Sequence, residues 1–399
     1  AAGLSGAHAD QLRRAMGAKR SPERMEALKG DLMAGMEERG IDAPTRERIF
    51  EQLKGFADFG FPESHSFSFA HIVYASSWLK VHAPEHFYAA ILASQPMGFY
   101  SPATLVQDAR RHGVRVVGPS VNDSLVDASV QHVSEDEAGE SYNPGRPESL
   151  PSRGTVPLDV DSGLAVRIGL NQVRGLGAVA ERIVEARRQG AFTSQADLAR
   201  RAHVSASAME KLAMAGALEC LGAGRREGAW AAGALAQPQA RGGQWQPFLP
   251  GTEIGSRVPE LPSLSEVERM RSDVATTGLT PGQHPFGFVR GSLPASVLRA
   301  GELGQHLAGR IVDIAGVVTH RQRPHTGGGI TFLSLEDETG FVNVSVSVGA
   351  WKKFRRVCLE SNALLVRGTL EWGDGAMNVQ AFRIAPVDLP INVRSRDFR

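Results

Sequence analysis

The sequence predicts a multidomain α+β protein, mostly helical at first and closing in a small five-stranded barrel. Three observations lead there. Between Ala7 and Ser94 apolar side chains recur at helical spacing between Gly and Pro breaks. From Leu164 to Leu221 short helical patterns meet at Gly175-Leu176-Gly177, a helix-hairpin-helix signature. From Leu307 to Pro390 three strand patterns, a helix and two further strands follow one another, the element order of an OB-fold barrel. At 399 residues the chain exceeds one ordinary domain.

In the helical part, Gly40 closes one helix, and Asp42 with Pro44 opens the next. Gly55, Gly60 and Pro62 break that helix. Ser64 then serves as an N-cap, with Phe69, Ile72, Val73, Ser76 and Leu79 along one helical face. Pro84 ends this helix and opens another, Glu85 to Ser94. Ser101 and Pro102 start a helix reaching Gly113, and VRVVGPSVN reads as a short strand and turn. Ser134 to Asp161 has no apolar period and reads as a loop or disordered insertion.

The hairpin glycines permit positive φ and let backbone approach a phosphate, which the following helix N-terminus also attracts. Arg174 and Arg182 flank it. A second unit, HVSASAMEKLAMAGAL, has Ser205 as cap and Gly216 at its end, and reads as a packing partner. Glu227 to Ser263 is rich in Ala, Gly, Gln and Pro and reads as a linker; Leu264 to Gly291 adds a helix and a bridge. In the barrel, FVNVSVSV alternates strictly, putting Val342, Val344, Val346 and Val348 on one face. The loop THRQRPHTGGG between the first two strands offers His320, Arg321, Arg323 and His325 to a phosphodiester. Phe332, Phe341 and Trp372 are candidates to stack bases.

Hydrophobic residues at 42% and charged residues at 22% are those of a globular chain. The net charge of +1 does not itself announce a nucleic-acid partner. Local pairs such as Arg13/Arg14, Arg200/Arg201 and Arg355/Arg356 speak more directly, although such pairs commonly make solvated helix faces. Cys220 and Cys358 supply neither a disulfide framework nor a zinc site. His82 and His86 are separated by Pro84, which breaks their common face. Asp159-Val-Asp161 imitates a paired-aspartate metal site but has no third carboxylate or basic cradle around it in the sequence. No apolar run approaches membrane-spanning length, and a cytoplasmic location is expected.

The words GFPESHSFSFA, SSWLK and ASQPMGFYSP resemble the error-prone, damage-inducible branch of the C-family bacterial DNA polymerases, paralogous to the replicative polymerase III alpha subunit. ADQLRRAMGAKR resembles that family's nucleotide-contacting fingers segment, and the likeness continues down to SRDFR. The resemblance implies residues 1–128 as the C-terminal portion of the fingers, a loop at 129–163, a helix-hairpin-helix region at 164–226, and a linker at 227–263. It further implies a bridging segment at 264–305, an OB-fold domain at 306–390 and a tail at 391–399. It places Ala1 in mid-domain, so that the chain is a cut-down piece of a longer polymerase. Arg13, Arg14, Ser64 and His65 would contact the nucleotide triphosphate; Arg174, Gly175, Gly177, Arg321 and Arg323 would contact DNA. The lysine that replicative relatives carry before the Ser-His pair is Glu63 here, a carboxylate that would repel a triphosphate.

The implied parent adds deoxynucleotides to a primer during damage bypass, without proofreading, using magnesium in a palm that this chain lacks. The chain alone is therefore expected to be inactive, with no catalytic or metal-ligating residue of its own. Implied partners are primer-template DNA, a deoxynucleoside triphosphate and mutagenesis accessory proteins. The sliding clamp is expected only indirectly, since Gln244-Trp245-Gln246-Pro247-Phe248-Leu249 fits a clamp-binding peptide poorly. Two other readings stand beside this one. The chain could be a protein-docking platform with little DNA binding, or an RNA- or tRNA-binding OB protein with a helical extension. A steep salt dependence of duplex binding favours the first reading, a stoichiometric protein complex the second, and preference for RNA the third.

Overall fold

The computed structural model describes residues 11, 21–59, 63–98, 100–132, 158–161, 163–235, 259–324, 328–373, 376–391 and 396–398. The chain divides into two compact units, residues 1–78 and 79–399.

The first unit is built on two helices, α1 (Ser21–Glu37) and α2 (Ala43–Phe59). Asp42 accepts from the Thr45 backbone N–H at 3.2 Å and so caps α2, as its sequence position predicts. Leu32, Met36 and Phe50 are buried between the helices, with Leu28, Ile41 and Leu53 packed around them. Helix α3 (Glu63–His82) crosses the division between the units. It begins at Glu63, so Ser64 lies within its first turn rather than ahead of it. Its apolar residues face solvent: Phe69, Ile72 and Val73 are all more than half exposed.

The second unit continues with α4 (Pro84–Ala93) and α5 (Pro102–Arg111). Pro84 takes the first helical position of α4, and the Ser101 hydroxyl accepts from Thr104 N–H to cap α5. A small sheet follows in the order β1-β3-β2: β1 (Arg115–Val117) is parallel to β3 (Leu164–Arg167), and β2 (Ser129–His132) is antiparallel to it. The first four residues of the predicted 129–163 loop are therefore a strand. Their polar Ser, Gln and His hide the alternation, and their partner lies across the insertion. Tyr88, Val106, Val116, Val166 and Ile168 form the core joining this sheet to α4 and α5.

The helix-hairpin-helix region comprises α6 (Ala178–Arg187), α7 (Gln195–Ala202), α8 (Ala206–Met214) and α9 (Arg225–Leu235) around Leu176, Ile183, Leu198, Met209 and Leu212. Ser205 caps α8 by accepting from Ala208 N–H. Helix α9 occupies the start of the predicted 227–263 linker. Its alanines favour helix, and Ala231, Ala232 and Leu235 are buried. Helix α10 (Glu266–Thr277) follows, its start fixed by a reciprocal Ser265–Glu268 capping box.

The closing barrel runs β5 (Ile311–Gln322), β6 (Thr331–Glu336), β7 (Phe341–Val346), α11 (Val348–Glu360), β8 (Ala363–Gly373) and β9 (Ala376–Pro386). Strand β5 pairs with both β6 and β8, and β7 lies parallel to β9, so the five strands close on themselves. Val342, Val344 and Val346 point into the barrel, but Val348 starts α11 and is 39% exposed. At Gly368, where the β8–β9 register shifts, a Cβ would collide with the Gln380 carbonyl, so the bulge there requires a residue without a side chain. Two short strands flank the barrel: β4 (Val297–Leu298), and β10 (Arg396–Phe398) in the predicted tail, both parallel to β5.

Candidate nucleic-acid interface

The hairpin is tighter than its sequence predicts. Its first arm is a single 3-10 turn, Leu170–Gln172, because Leu170 and Val173 plug the core and the chain turns at once. Leu176 at the tip is buried, while Gly175 (φ 78°) and Gly177 (φ 49°) beside it are exposed and left-handed. Only glycine takes such angles cheaply, so the tip presents bare backbone leading straight into the first turn of α6.

The cation at this tip is Lys211. A Cβ built on Gly175 would lie 2.6 Å from the Lys211 ammonium, which therefore sits directly against the hairpin backbone. Lys211 comes from α8, the unit that in sequence reads as a packing partner, so nothing local to the hairpin announces it. The flanking arginines are used otherwise. Arg174 donates to Ala275 O at 3.1 Å, and its own N–H to Thr276 O at 2.8 Å, fastening the hairpin to the end of α10. Arg182 donates to Ala202 O and His203 O at the end of α7. Arg201 donates to Ala186 O at 2.6 Å and Gly190 O at 2.7 Å at the end of α6. These guanidiniums satisfy carbonyls that helix ends leave over.

In the barrel, the strand predicted to stop at Thr319 runs on to Gln322. A bulge between Val318 and His320 sets Arg321 opposite buried Leu333. Arg321 consequently turns inward. It is 8% exposed and donates to Cys358 O at 2.6 Å and Ser361 O at 2.7 Å, bolting β5 to the end of α11. Arg323, two residues on, is exposed, with its guanidinium 5.7 Å from the Trp351 ring. His320 is half-buried and meets Thr319 Oγ1 at 3.1 Å; His325 lies outside the described residues.

The outer face of β6, β7 and β9 carries Phe332, Ser345 and Gln380 in one register row and Ser334, Asn343 and Asn378 in the next. Phe332 is 39% exposed, and Asn378 Nδ2 donates to Ser345 Oγ at 2.9 Å. Asn378 Nδ2 also donates to Glu371 Oε2 at 2.7 Å. An exposed aromatic ring on the second strand, beside the amides of Asn343 on the third and Gln380 on the fifth, suits a stacked, hydrogen-bonded base. The opposite end of this face is closed. Glu336 and Phe341 are cross-strand neighbours there, and Arg111 of α5 covers both, 2.9 Å from Glu336 Oε1 and 5.0 Å from the Phe341 ring centre. Phe341 is thus engaged, and Trp372 packs against the barrel core. Burial pushes the Glu336 carboxyl up to about 7, against the opposing pull of Arg111.

Arg13 and Arg14 lie outside the described residues, as does the Gln244–Leu249 segment. His65 is exposed, its ring edge-on to Phe69 at 4.5 Å. Asp159 meets His82 Nδ1 at 2.7 Å, and Asp161 accepts from Gly163 N–H. Among the described residues no three His, Cys, Asp or Glu side chains converge in a group that could hold a metal ion. No helix among them is long and apolar enough to cross a membrane.

A hairpin of bare backbone with a lysine at its rim, followed by an OB barrel with one open face, defines a nucleic-acid-binding class of chain. Residues 113–228 match the family described as a helix-hairpin-helix motif, and residues 312–387 that of an OB-fold nucleic acid binding domain. Along its whole length the chain is homologous to the error-prone DNA polymerases. It is 46% identical to the error-prone DNA polymerase of Mycobacterium bovis, over 100% of this chain and 34% of that protein. It is 45% identical to that of Nocardia farcinica (100% and 33%) and 42% identical to that of Corynebacterium glutamicum (100% and 34%). The chain thus spans about a third of the length of these curated relatives. Among solved structures, the asparaginyl-tRNA synthetase of Pyrococcus horikoshii is similar over 24% of this chain and 23% of its own, at 19% identity and a TM-score of 0.22.

Proposed function

We propose that this chain is the DNA-gripping part of an error-prone polymerase acting in damage-induced mutagenesis and translesion synthesis. Its hairpin holds the duplex backbone and its OB barrel holds a single strand. The observation carrying this is the hairpin tip, where two exposed left-handed glycines and the Lys211 ammonium surround the start of α6. Such a site takes a phosphate and ignores base identity. Arg13, Arg14, Ser64 and His65 would meet the incoming deoxynucleoside triphosphate, with Glu63 weakening that contact. In the longer protein a palm outside this chain would supply magnesium and the transfer chemistry, in the cytoplasm, and the chain alone would not extend a primer.

The test is duplex binding by the purified chain across rising salt. A backbone-only grip gives a linear loss of log affinity with log salt, by about 0.9 per phosphate contact. Lys211→Ala should lower that slope by about one; an unchanged slope would rule out the hairpin as the contact.

A second reading is favoured by α3, where Phe67 and Tyr74 are 75% and 74% exposed and Ile72 58%. So much exposed apolar surface on one helix suits a protein neighbour, either the rest of a longer chain or an accessory protein. Co-sedimentation with candidate mutagenesis proteins, compared between wild type and Tyr74→Asp, would separate this role from DNA binding. The sliding clamp would then be reached through such a partner.

A further inference from the structure

We propose that helix α11 is a second phosphate-binding surface, over which the backbone of a single strand runs after leaving the open end of the barrel face. This rests on the reading of the barrel as an oligonucleotide binder and adds where the strand goes.

Helix α11 buries Trp351 and Cys358 against the barrel and exposes Lys352, Lys353, Arg355 and Arg356. Lys352, Arg355 and Arg356 stand at i, i+3 and i+4, on one outer stripe. The helix holds one acid, Glu360, which is paired with Arg356 at 2.9 Å. A surface with four cations and one carboxylate is complementary to a polyanion.

Its position fixes the path. The loop between β5 and β6 lies against the start of α11: Arg323 sits over Trp351, and a Cβ on Gly329 would come within 3.1 Å of the Val348 side chain. Phe332 is the second residue of β6 and Ser345 the next to last of β7, so both lie at this same end of the face. At the far end, Arg111 sits on Glu336 and Phe341. A strand stacked on Phe332 is therefore blocked in one direction and meets Arg323, then the α11 stripe, in the other. A single strand suits this route because its bases must unstack to reach Phe332. An acidic protein segment is the rival occupant.

The experiment is fluorescence anisotropy of the full chain with a labelled oligothymidylate and, separately, a labelled duplex of equal length, over rising salt. The variants are Lys352→Gln/Arg355→Gln/Arg356→Gln and, apart from it, Arg323→Ala/Phe332→Ala, with thermal melting as the control for folding. The α11 triple variant should melt like wild type and bind oligothymidylate about tenfold or more weakly. Its salt slope should fall by about two, at roughly 0.7 per lost contact, with duplex binding unchanged. Unchanged oligothymidylate binding in the triple variant, with loss in Arg323→Ala/Phe332→Ala, would overturn the α11 path and leave the barrel reading intact. Unchanged binding in both variants, or no single-strand binding by wild type, would overturn both.

Discussion

Arg111 donates from Nη1 to Glu336 Oε1 at 2.9 Å, with the two side chains only 11% and 5% exposed. This pair joins the end of α5 to the barrel, and it is unequal. Among the described residues Arg111 Nη2 has no hydrogen-bond partner; the Asp108 carboxylate stands 3.9 Å away, out of reach. A buried guanidinium cannot shed its charge, whereas a buried carboxyl can take up a proton.

That inequality orders three variants. Glu336→Leu strands the arginine and should cost about 3–5 kcal/mol. Arg111→Met leaves a carboxyl that protonates and should cost less. The combination Arg111→Met/Glu336→Leu should come within about 1 kcal/mol of wild type. Chemical denaturation of the three chains measures the order, and equal losses in the two single variants would contradict it.

Glu336 also sets a pH dependence. Its carboxyl titrates near 7 in the folded chain against 4.5 ordinarily, because burial disfavours the charge. Between those values the native state holds a proton that the unfolded state has released, so stability falls as pH rises through the window. Asp273, raised by burial to about 6, adds to the same slope at its acid end. Melting temperature should therefore drop from pH 5 to pH 8 by more in wild type than in Glu336→Gln. Parallel curves would refute the assignment.

Arg321 and Arg323 should separate cleanly. Arg321→Ala removes donors from the Cys358 and Ser361 carbonyls and should destabilise the barrel by about 2–4 kcal/mol. Arg323→Ala should leave the melting temperature within a degree or so while weakening single-strand binding. The reverse pattern would show that the strand end is placed differently.

Gly177→Ala tests the hairpin backbone alone, since beyond its immediate chain neighbours no atom lies within 4 Å of where its Cβ would stand. Any loss is then conformational: about 1–3 kcal/mol of strain at φ 49°, and a weaker duplex grip as the tip relaxes. Melting and anisotropy on the same preparation check both effects.

Much of this fold is legible because its signals are local. Asp42, Pro84, Ser101 and Ser205 each start a helix where their chemistry dictates, and the alternation of FVNVSV marks a half-buried strand that is found. What escapes the sequence is set by neighbours distant along the chain. Strand β2 exists through its pairing with β3 across the insertion, and helix α9 through burial of alanines that look like linker. The candidate site follows the same division. Gly175 and Gly177 announce the turn, but Lys211 reaches it from another helix. Arg174 looks like a phosphate ligand in sequence and, with Arg182 and Arg201, fastens helix ends in space. A bulge of one residue decides that Arg321 faces inward while Arg323 stays exposed.

The most direct measurement is the salt dependence of duplex binding by the intact chain, wild type against Lys211→Ala/Gly177→Ala. Wild type should lose affinity linearly on the logarithmic scale, and the double variant should bind more weakly with a slope shallower by one or more. Identical slopes and affinities in two equally well-folded proteins would contradict a backbone grip at the hairpin.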